Sequence, residues 1–281
     1  MVINIKDGSK IITAKQFAGN VEITELVIAN TVEEIGEGAF SKCHNLKKIT
    51  WGKHVRTIGK GAFSKCTSLV SLHLPKSIKR VEKQAFAFCS SLAYVEFSDK
   101  KDIYIGQGAF ANCTGLIYAI LPIGLKGISN ELFSKCTNLS DVFIPGTVTN
   151  IGYNAFYDAT TGQIDLPDSL VAIDMHAFYR SKLTSVVIPD GVMRIDLEAF
   201  RKCCNLRCVD IGKSVSFISD EAFEDCPALS EVTFRSARIH YIGKAVFKCC
   251  KNLKRINVPA SALDKYKILL PKHLHKKLVG F

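Results

Sequence analysis

The chain has 281 residues, of which 47% are hydrophobic and 22% charged, and its formal net charge is +11. This composition excludes an intrinsically disordered chain, which combines low hydrophobicity with high charge. No segment approaches the ~18 consecutive apolar residues of a membrane-spanning helix, and the first residues lack the features of a secretory signal. We therefore expect a folded cytoplasmic protein, or a secreted or cell-surface protein if the sequence is a trimmed part of a longer one.

The N-terminal segment contains the first predicted element. Short apolar runs at Val2–Ile5 and Ile11–Ile12 lie on either side of Asp7-Gly8. An Asp-Gly pair between two apolar runs is typical of a tight β-hairpin. We expect residues 1–20 to form a hairpin that caps a repeat array.

A repeat occupies most of the remaining chain. Its phenylalanines recur every 22 to 24 residues, a period in the range of leucine-rich solenoids. They are Phe17, Phe40, Phe63, Phe86, Phe110, Phe133, Phe156, Phe178, Phe200, Phe223 and Phe247. One unbroken period predicts a single elongated array over residues 21–258.

Each repeat contains a strand and a second apolar segment. The strand is seen in Leu69–Pro75, where apolar and exposed positions alternate until the proline ends the run. In the following segment, Val81, Ala85 and Cys89 have helix-like spacing over about one turn. The predicted fold is an α/β repeat solenoid, with a parallel sheet on the inner face and short helical or 3₁₀ turns outside.

Pairs of glycines precede several of the repeat phenylalanines, as in Gly59-Lys60-Gly61. They resemble the start of a dinucleotide-binding fingerprint, but no third glycine follows. Their recurrence in register indicates a requirement of the turn rather than a phosphate-binding loop. We expect no cofactor at these positions.

Most of the eleven cysteines follow the same period. Eight lie three residues after a repeat phenylalanine: Cys43, Cys66, Cys89, Cys113, Cys136, Cys203, Cys226 and Cys250. Free cysteine behaves as a small buried hydrophobe, so we interpret this column as reduced core thiols in a reducing compartment. Disulfides between neighbouring coils remain the alternative, since stacked coils lie within disulfide reach.

The remaining cysteines and the histidines near the C-terminus do not predict a metal site. The zinc-binding C-x-x-C spacing is absent around Cys204 and Cys208, and His273 and His275 have no third ligand in view. Cys208 falls on the predicted inner strand face, and we expect it to be the first thiol to react.

The repeat stops after Val258-Pro259. Ser261 to Asp264 has the form of a capping box that opens a helix, and Pro271 ends it. Leu263, Tyr266 and Leu270 give this helix an apolar face. A solenoid needs such a terminal cap, so we expect residues 259–281 to form a helical cap.

The candidate binding site lies on the inner strand face, where the repeat leaves positions free to vary. Three consecutive strands carry exposed aromatic and aliphatic residues, which are Tyr94, Tyr118, Ile120 and Phe143. Three acidic residues border them, namely Glu96, Asp141 and Asp165. Exposed aromatics grouped on one surface are typical of protein-binding hot spots. Packing within the same sheet, or against another copy of the chain, is the alternative.

The positive charge indicates a second possible surface. Basic residues follow several repeat phenylalanines in the outer loops and recur in the C-terminal tail, namely Lys42, Lys65, Lys135, Arg180, Lys202, Lys265, Lys267, Lys272, Lys276 and Lys277. Such a stripe is usually solvated, but it is also compatible with binding an anionic surface such as nucleic acid or an acidic membrane.

The repeat unit reads L-x-x-I-x-I-P, then V-x-x-I-G-x-x-A-F, then x-x-C-x-x-L, in about ten copies over residues 21–260. This pattern closely resembles the BspA-like leucine-rich repeat of the Treponema pallidum type. The resemblance implies a right-handed, curved solenoid of a kind found in surface and secreted proteins of mucosal bacteria and protists, often linked to adhesion or host-protein binding. It implies no catalytic residues, and no motif of an enzyme occurs in the chain. We expect a non-catalytic module that binds a protein or peptide.

Overall fold

The structure, a computed structural model, describes residues 1–98, 103–159 and 161–281. The chain divides into two compact units, Met1–Pro145 and Gly146–Phe281. Each unit is a stack of coils joined by parallel β-strands. The predicted parallel repeat solenoid is confirmed.

In the first unit, the coils carry a first ladder of strands with alternating buried and exposed residues. These strands are β1 (Val2–Asn4), β3 (Glu25–Val27), β5 (Lys48–Thr50), β7 (Ser71–Leu74), β9 (Tyr94–Phe97), β11 (Tyr118–Ile120) and β13 (Asp141–Phe143). They pair in parallel as β1-β3-β5 and as β7-β9-β11-β13. Alternation places one side chain of each pair in the core and the next on the surface.

The first unit also has a second ladder, which the sequence analysis did not predict. Its two-residue strands are β2 (Ile11–Ile12), β4 (Glu34–Ile35), β6 (Thr57–Ile58), β8 (Arg80–Val81), β10 (Tyr104–Ile105) and β12 (Gly127–Ile128). Strands β2, β4, β6, β8 and β10 pair in parallel in this order. Their second residue is buried in the cases of Ile35, Ile58 and Val81.

The second unit repeats this arrangement. Its first ladder consists of two sheets: the pair β15 (Thr161–Gly162) and β17 (Lys182–Leu183), and a five-stranded sheet of β18 (Ser185–Ile188), β20 (Cys208–Ile211), β22 (Glu231–Phe234), β24 (Arg255–Val258) and β25 (Leu278–Gly280). Its second ladder contains β14 (Asn150–Ile151), β16 (Ala172–Ile173), β19 (Arg194–Ile195), β21 (Phe217–Ile218) and β23 (Tyr241–Ile242). All neighbouring strands within each ladder are parallel.

The segment around each repeat phenylalanine forms tight turns, so the predicted helical turn is wrong for the described coils. Gly61 and Lys65 have φ values of +58° and +64°, in the left-handed region, whereas the three residues between them do not. Every second N–H leaves its own coil: the N–H of Phe63 donates to the carbonyl of Ala85 in the next coil at 2.8 Å. A helix would keep these N–H groups within the coil. Bonding between coils therefore replaces helical bonding.

Two columns of side chains fill the core next to these turns. In the first unit, ring centroids of successive repeat phenylalanines lie 5.1 to 6.0 Å apart, with nearly parallel planes. All eight periodic cysteines are buried, as predicted. Each of their thiols donates a hydrogen bond to the carbonyl of the repeat phenylalanine in the preceding coil, at 3.1 to 3.3 Å. The cysteine column is thus a hydrogen-bonded part of the core.

The N-terminal segment is a full coil, and the predicted hairpin is wrong. Strand β1 pairs with β3, and β2 pairs with β4, both in parallel. The two apolar runs therefore belong to different ladders and do not pair with each other. Gly8 has a φ of +98°, and its N–H donates to the side chain of Thr31 in the next coil at 3.0 Å. The Asp-Gly pair serves a turn within the coil.

The C-terminal segment contains a helix, α1 (Leu263–Leu269), between two 3₁₀ segments, Ala260–Ala262 and Lys272–Lys277. The helix ends before Pro271, as predicted. The predicted capping box does not form, because the first 3₁₀ segment runs directly into α1 and Ser261 lies inside it. In the described part of the chain, no helix has the length and apolar composition needed to cross a membrane.

Candidate functional site

The exposed positions of the first ladder form the candidate binding surface of the first unit. Strand alternation places Val95, Ala119 and Val142 in the core, so their neighbours in sequence point away from it. Parallel pairing aligns these neighbours between strands. Tyr118 is the partner of Tyr94 on one side and of Asp141 on the other.

A second row runs beside the first. Ile120 is the partner of Glu96 on β9 and of Phe143 on β13. Four residues of these two rows, Tyr94, Tyr118, Ile120 and Phe143, define what we call the aromatic patch. The structure brings them together on the three adjacent strands β9, β11 and β13, in agreement with the strands predicted from the sequence.

Exposure differs within the aromatic patch. Tyr94 and Phe143 are each 49% exposed, whereas Tyr118 and Ile120 are half-buried between them. The patch therefore presents two aromatic side chains at opposite ends of a continuous apolar surface. A surface of this kind excludes water readily when a partner covers it.

The acidic residues that border the patch have different surroundings. Glu96 lies 3.5 Å from His73 on the neighbouring strand, measured between Oε2 and Nε2. Asp141 is exposed and forms no ion pair within the part of the chain that the structure describes. The carboxylate of Glu96 thus already contacts a histidine. The carboxylate of Asp141 can pair with a cation of a partner.

Asp165 belongs to the second unit, where it lies at a cavity of about 570 Å³. The cavity occurs where two neighbouring coils separate: the described residues show no backbone hydrogen bond between 163–168 and 185–190. Bonds resume on either side, from Thr184 N–H to the Gly162 carbonyl and from Met193 N–H to the Val171 carbonyl, both at 2.9 Å.

Arg235 also lines this cavity and is not among the residues predicted from the strand pattern. Its guanidinium lies 3.1 Å from the Asp190 carboxylate and 2.9 Å from that of Asp210. Hydrogen bonds from Lys213, together with the charge of Arg235, lower the pKa of Asp190. A sequence signal did exist, because Arg235 follows its strand at a position where neighbouring coils have Pro189 or Gly212.

The three cysteines outside the core column are Cys204, Cys208 and Cys249, and all are exposed. Cys208 lies on β20 at an exposed position, as the strand pattern predicted. Within the described residues, no group of three or more cysteine, histidine, aspartate or glutamate side chains is arranged to hold a metal ion. That Cys208 reacts before the other thiols stays a prediction.

The basic residues of the outer turns occupy a shared backbone position. Lys42, Lys65 and Lys135 have φ values between +59° and +64° and are exposed. Together with Lys15 and Lys60, Lys42 lines a cavity of about 510 Å³ on the turn side of the first unit. The charge of Lys60 is partly neutralised, since its Nζ lies 3.1 Å from Oε1 of Glu37.

The parallel coils, the phenylalanine column and the leucines that precede each strand define a leucine-rich repeat solenoid. A family model described as the BspA type leucine-rich repeat region, in six copies, matches overlapping stretches of the chain between residues 10 and 267. The chain belongs to the BspA-type leucine-rich repeat family, and the resemblance seen in the sequence is confirmed.

Solved structures of several bacterial proteins share this fold. A leucine-rich repeat protein of T. pallidum is 26% identical, over 63% of this chain and 74% of its own, with a TM-score of 0.50. A leucine-rich cell surface protein of Faecalibacterium prausnitzii is 24% identical over 99% of this chain and 86% of its own, with a TM-score of 0.51. The pneumococcal vaccine antigen PcpA is 18% identical over 99% of this chain and 77% of its own, with a TM-score of 0.55.

No curated protein sequence matches the chain significantly. Leucine-rich repeat proteins of this type are generally interaction or surface-associated proteins, and they are typically non-enzymatic scaffolds. The family therefore defines a class of function without naming a partner.

Proposed function

We propose that the first unit is a non-catalytic protein-binding module whose aromatic patch contacts a protein or peptide partner. The observation that carries the proposal is the grouping of two exposed aromatic side chains, Tyr94 and Phe143, around the half-buried Tyr118 and Ile120. Large apolar groups on a folded surface mark interaction sites, since folding alone gives no reason to expose them together.

The centre of the patch is formed by the half-buried Tyr118 and Ile120. Aromatic residues dominate binding free energy when a partner removes them from water, and their truncation commonly costs about 2 kcal/mol or more. Tyr118 is half-buried on β11, which pairs with a strand on each side. It loses little conformational entropy on binding, which favours affinity.

The border of the patch supports a partner with a basic rim. Glu96 and Asp141 lie in the two rows that contain the aromatic residues. Charges at the edge of an interface contribute mainly to the rate of association and to selectivity. Asp165, which was predicted to belong to this border, lies in the second unit. Its contact with a partner stays a prediction.

The experiment uses charged substitutions with a matched control. Tyr118→Glu and Phe143→Glu place a carboxylate in the patch, and Ile268→Glu places one on α1 of the second unit, where Ile268 is 84% exposed. Proteins captured from host or native extracts by the unaltered chain are quantified for each variant. We expect the patch variants to capture the specific partner at least about tenfold less than the unaltered chain does. Their circular dichroism spectra should be unchanged. Equal capture by all variants would contradict the proposal.

A second candidate is binding of an anionic surface through the outer lysines. Its support is the cavity lined by Lys15, Lys42 and Lys60 and the exposure of Lys65. Contacts with phosphates release counterions, so such binding weakens steeply as salt rises. Titration with acidic vesicles and with duplex DNA at several salt concentrations separates this candidate from the first, because binding at an apolar patch depends weakly on salt.

We also propose that the protein is located in the cytoplasm. Its support is the column of buried, unpaired thiols, which suits a reducing environment. A surface location and a role in adhesion are the competing possibility, since one relative of the same fold is a cell surface protein. Fractionation of cells that make the native protein decides between them, and recovery in the surface fraction would contradict a cytoplasmic location.

A further inference from the structure

The last coil of the second unit contains a row of backbone N–H groups whose acceptors are absent. In the preceding coil, the N–H groups of Glu221, Phe223 and Asp225 donate to carbonyls of the next coil at 2.8 to 3.1 Å. The equivalent donors one coil later are the N–H groups of Ala245, Phe247 and Cys249. In the described residues, none of these three has a hydrogen-bond acceptor.

The geometry of this row is the same as in the other coils. Ala245 and Cys249 have φ values of +55° and +63°, close to the +57° and +59° of Glu221 and Asp225 in the preceding coil. The donors therefore point to the place that another coil would occupy. The row is therefore a free edge of backbone donors, with which a chain that carries matching acceptors can pair.

A cavity of about 560 Å³ lies beside this row, between the last turn and the C-terminal segment. Its apolar lining includes Phe247, Pro271 and Leu274. The volume falls in the range of about 300 to 1,000 Å³ typical of ligand sites. The C-terminal segment thus leaves room for a short stretch of chain next to the donors.

The charge around the cavity is positive. Lys248, Lys251 and Lys277 line it together with His273. Lys248 is paired with Glu224 at 2.9 Å, whereas Lys251 forms no ion pair in the described part of the chain. A ligand that brings carboxylates would find both open donors and an uncompensated cation.

We propose that this cavity binds a short acidic peptide, whose backbone carbonyls accept hydrogen bonds from the N–H groups of Ala245, Phe247 and Cys249. In the other coils the acceptors are carbonyls of alternate residues, such as residues 244, 246 and 248, so a peptide that presents alternate carbonyls to the row can pair with it in the same way. Acidic side chains of the peptide pair with Lys251 and its neighbours. The peptide occupies the position of the missing next coil.

The other occupant with matching backbone groups is the first coil of a second copy. Its turn contains Lys15, a cation with no ion pair in the described residues, and this charge would face the lysines of the cavity. Like charges disfavour that contact. The charge pattern therefore favours an acidic peptide over self-association.

The test measures binding of two fluorescein-labelled hexapeptides, one alternating glutamate and valine and one alternating lysine and valine. The variant is Lys251→Glu, and its matched control is Lys254→Glu, an exposed lysine outside the cavity with the same change of charge. We expect the acidic peptide alone to bind, with affinity lowered at least about tenfold by Lys251→Glu and little changed by Lys254→Glu. Equal weakening by both variants, binding of the lysine peptide, or no binding overturns the proposal.

Hydrogen exchange on the unaltered protein measures protection of the open N–H groups directly, without any substitution that could disturb the fold. The acidic peptide is expected to slow exchange at the amides of residues 245, 247 and 249, while amides of the aromatic patch stay unchanged. Protection that appears without peptide and grows with protein concentration, together with dimers in sedimentation, overturns the peptide as occupant in favour of a second copy. Failure of this test leaves the aromatic patch unaffected, because the two sites share no residues.

Discussion

The thiol of Cys66 donates a hydrogen bond of 3.2 Å to the carbonyl of Phe40, one coil earlier in the stack. The same carbonyl accepts the backbone N–H of Cys43 in its own coil at 3.2 Å. The thiol therefore uses the second lone pair of a carbonyl that is sealed in the core. This contact explains why cysteine, rather than an apolar residue of similar size, recurs at the position.

The first prediction compares two substitutions of Cys66. Cys66→Ser keeps a donor, and serine already occupies the equivalent position at Ser181, which is 1% exposed. Cys66→Ala removes the donor and the sulfur, so it should lower the free energy of unfolding by about 1 to 2 kcal/mol more than Cys66→Ser. Urea denaturation measures both, with Cys204→Ser as the exposed control. An alanine variant as stable as the serine variant would show that the hydrogen bond is unimportant.

The second prediction concerns alkaline pH. Burial raises the pKa of the Cys66 thiol above its ordinary value of 9.0, and burial likewise raises the pKa of Cys89 and Cys136. The folded state thus keeps protons that the unfolded state loses. The stabilisation is complete below the unfolded pKa and falls as pH rises above about 9.

The urea midpoint should accordingly decrease between pH 8 and pH 10. Replacing Cys66 and Cys89 by serine should reduce the slope, because the serine hydroxyl does not titrate in this range. Replacement of the exposed Cys204 and Cys208 by serine is the matched control. A slope that is the same in both variants would assign the pH dependence to other groups.

The third prediction separates the two glycines before Phe63. A Cβ on Gly59 would lie 2.7 Å from the carbonyl oxygen of Ile35, which is backbone and cannot move aside. A Cβ on Gly61 would meet only the Ser64 side chain at 3.8 Å, but Gly61 has a φ of +58°. Gly59→Ala should therefore cost about 3 kcal/mol, and Gly61→Ala about 1 kcal/mol. Thermal unfolding of the two variants ranks them, and the reverse order would contradict the assignment.

The fourth prediction concerns the anchoring of the C-terminal segment. The hydroxyl of Tyr266, which is buried, donates to the carbonyl of Ser236 at 2.8 Å, and Ser236 is fully buried. Tyr266→Phe leaves that carbonyl unpaired and should destabilise the protein by about 1 to 3 kcal/mol. Tyr157→Phe, which removes a hydroxyl without a partner in the described residues, is the control and should have little effect. Equal stability of both variants would show that water replaces the lost donor.

Much of the core could be predicted from the sequence because its signal is periodic. Phe63, Cys66 and Leu69 recur in every regular coil, and the burial of all three follows from stacking one coil on the next. The exposed strand positions, including Tyr94 and Phe143, follow from the alternation of the same strands. Their use as a binding surface stays a prediction, since alternation determines exposure and says nothing about a partner.

The turns could not be predicted in this way. Val81, Ala85 and Cys89 have the spacing of a helical face, and local sequence contains no sign that the N–H of Phe86 donates to Ala109 in the next coil. That bond depends on a residue more than twenty positions away. The N-terminal hairpin was mispredicted for the same reason: Ile12 pairs with a partner in the next coil, which a local turn signal cannot show.

The open donors of the last coil were beyond sequence analysis for a different reason. Nothing distinguishes Phe247 from the other repeat phenylalanines in sequence, and its N–H becomes open only because the coil that should follow is replaced by a C-terminal segment. Arg235 was missed because the candidates on the inner face were taken from strand positions, and this residue lies one position beyond its strand.

The hydrogen bonds around each repeat phenylalanine join one coil to the next in a single direction. The N–H groups of residues 61, 63 and 65 donate to the carbonyls of residues 83, 85 and 87, and the bonds of the coil before them follow the same rule. A segment that begins and ends at equivalent positions of two coils thus has backbone acceptors on one face of the stack and backbone donors on the other. These groups match those of the coils on either side. Gain or loss of a whole coil preserves every such bond. Proteins of this architecture can change in length by duplication or deletion in the gene, in steps of one coil, without the invention of a new junction.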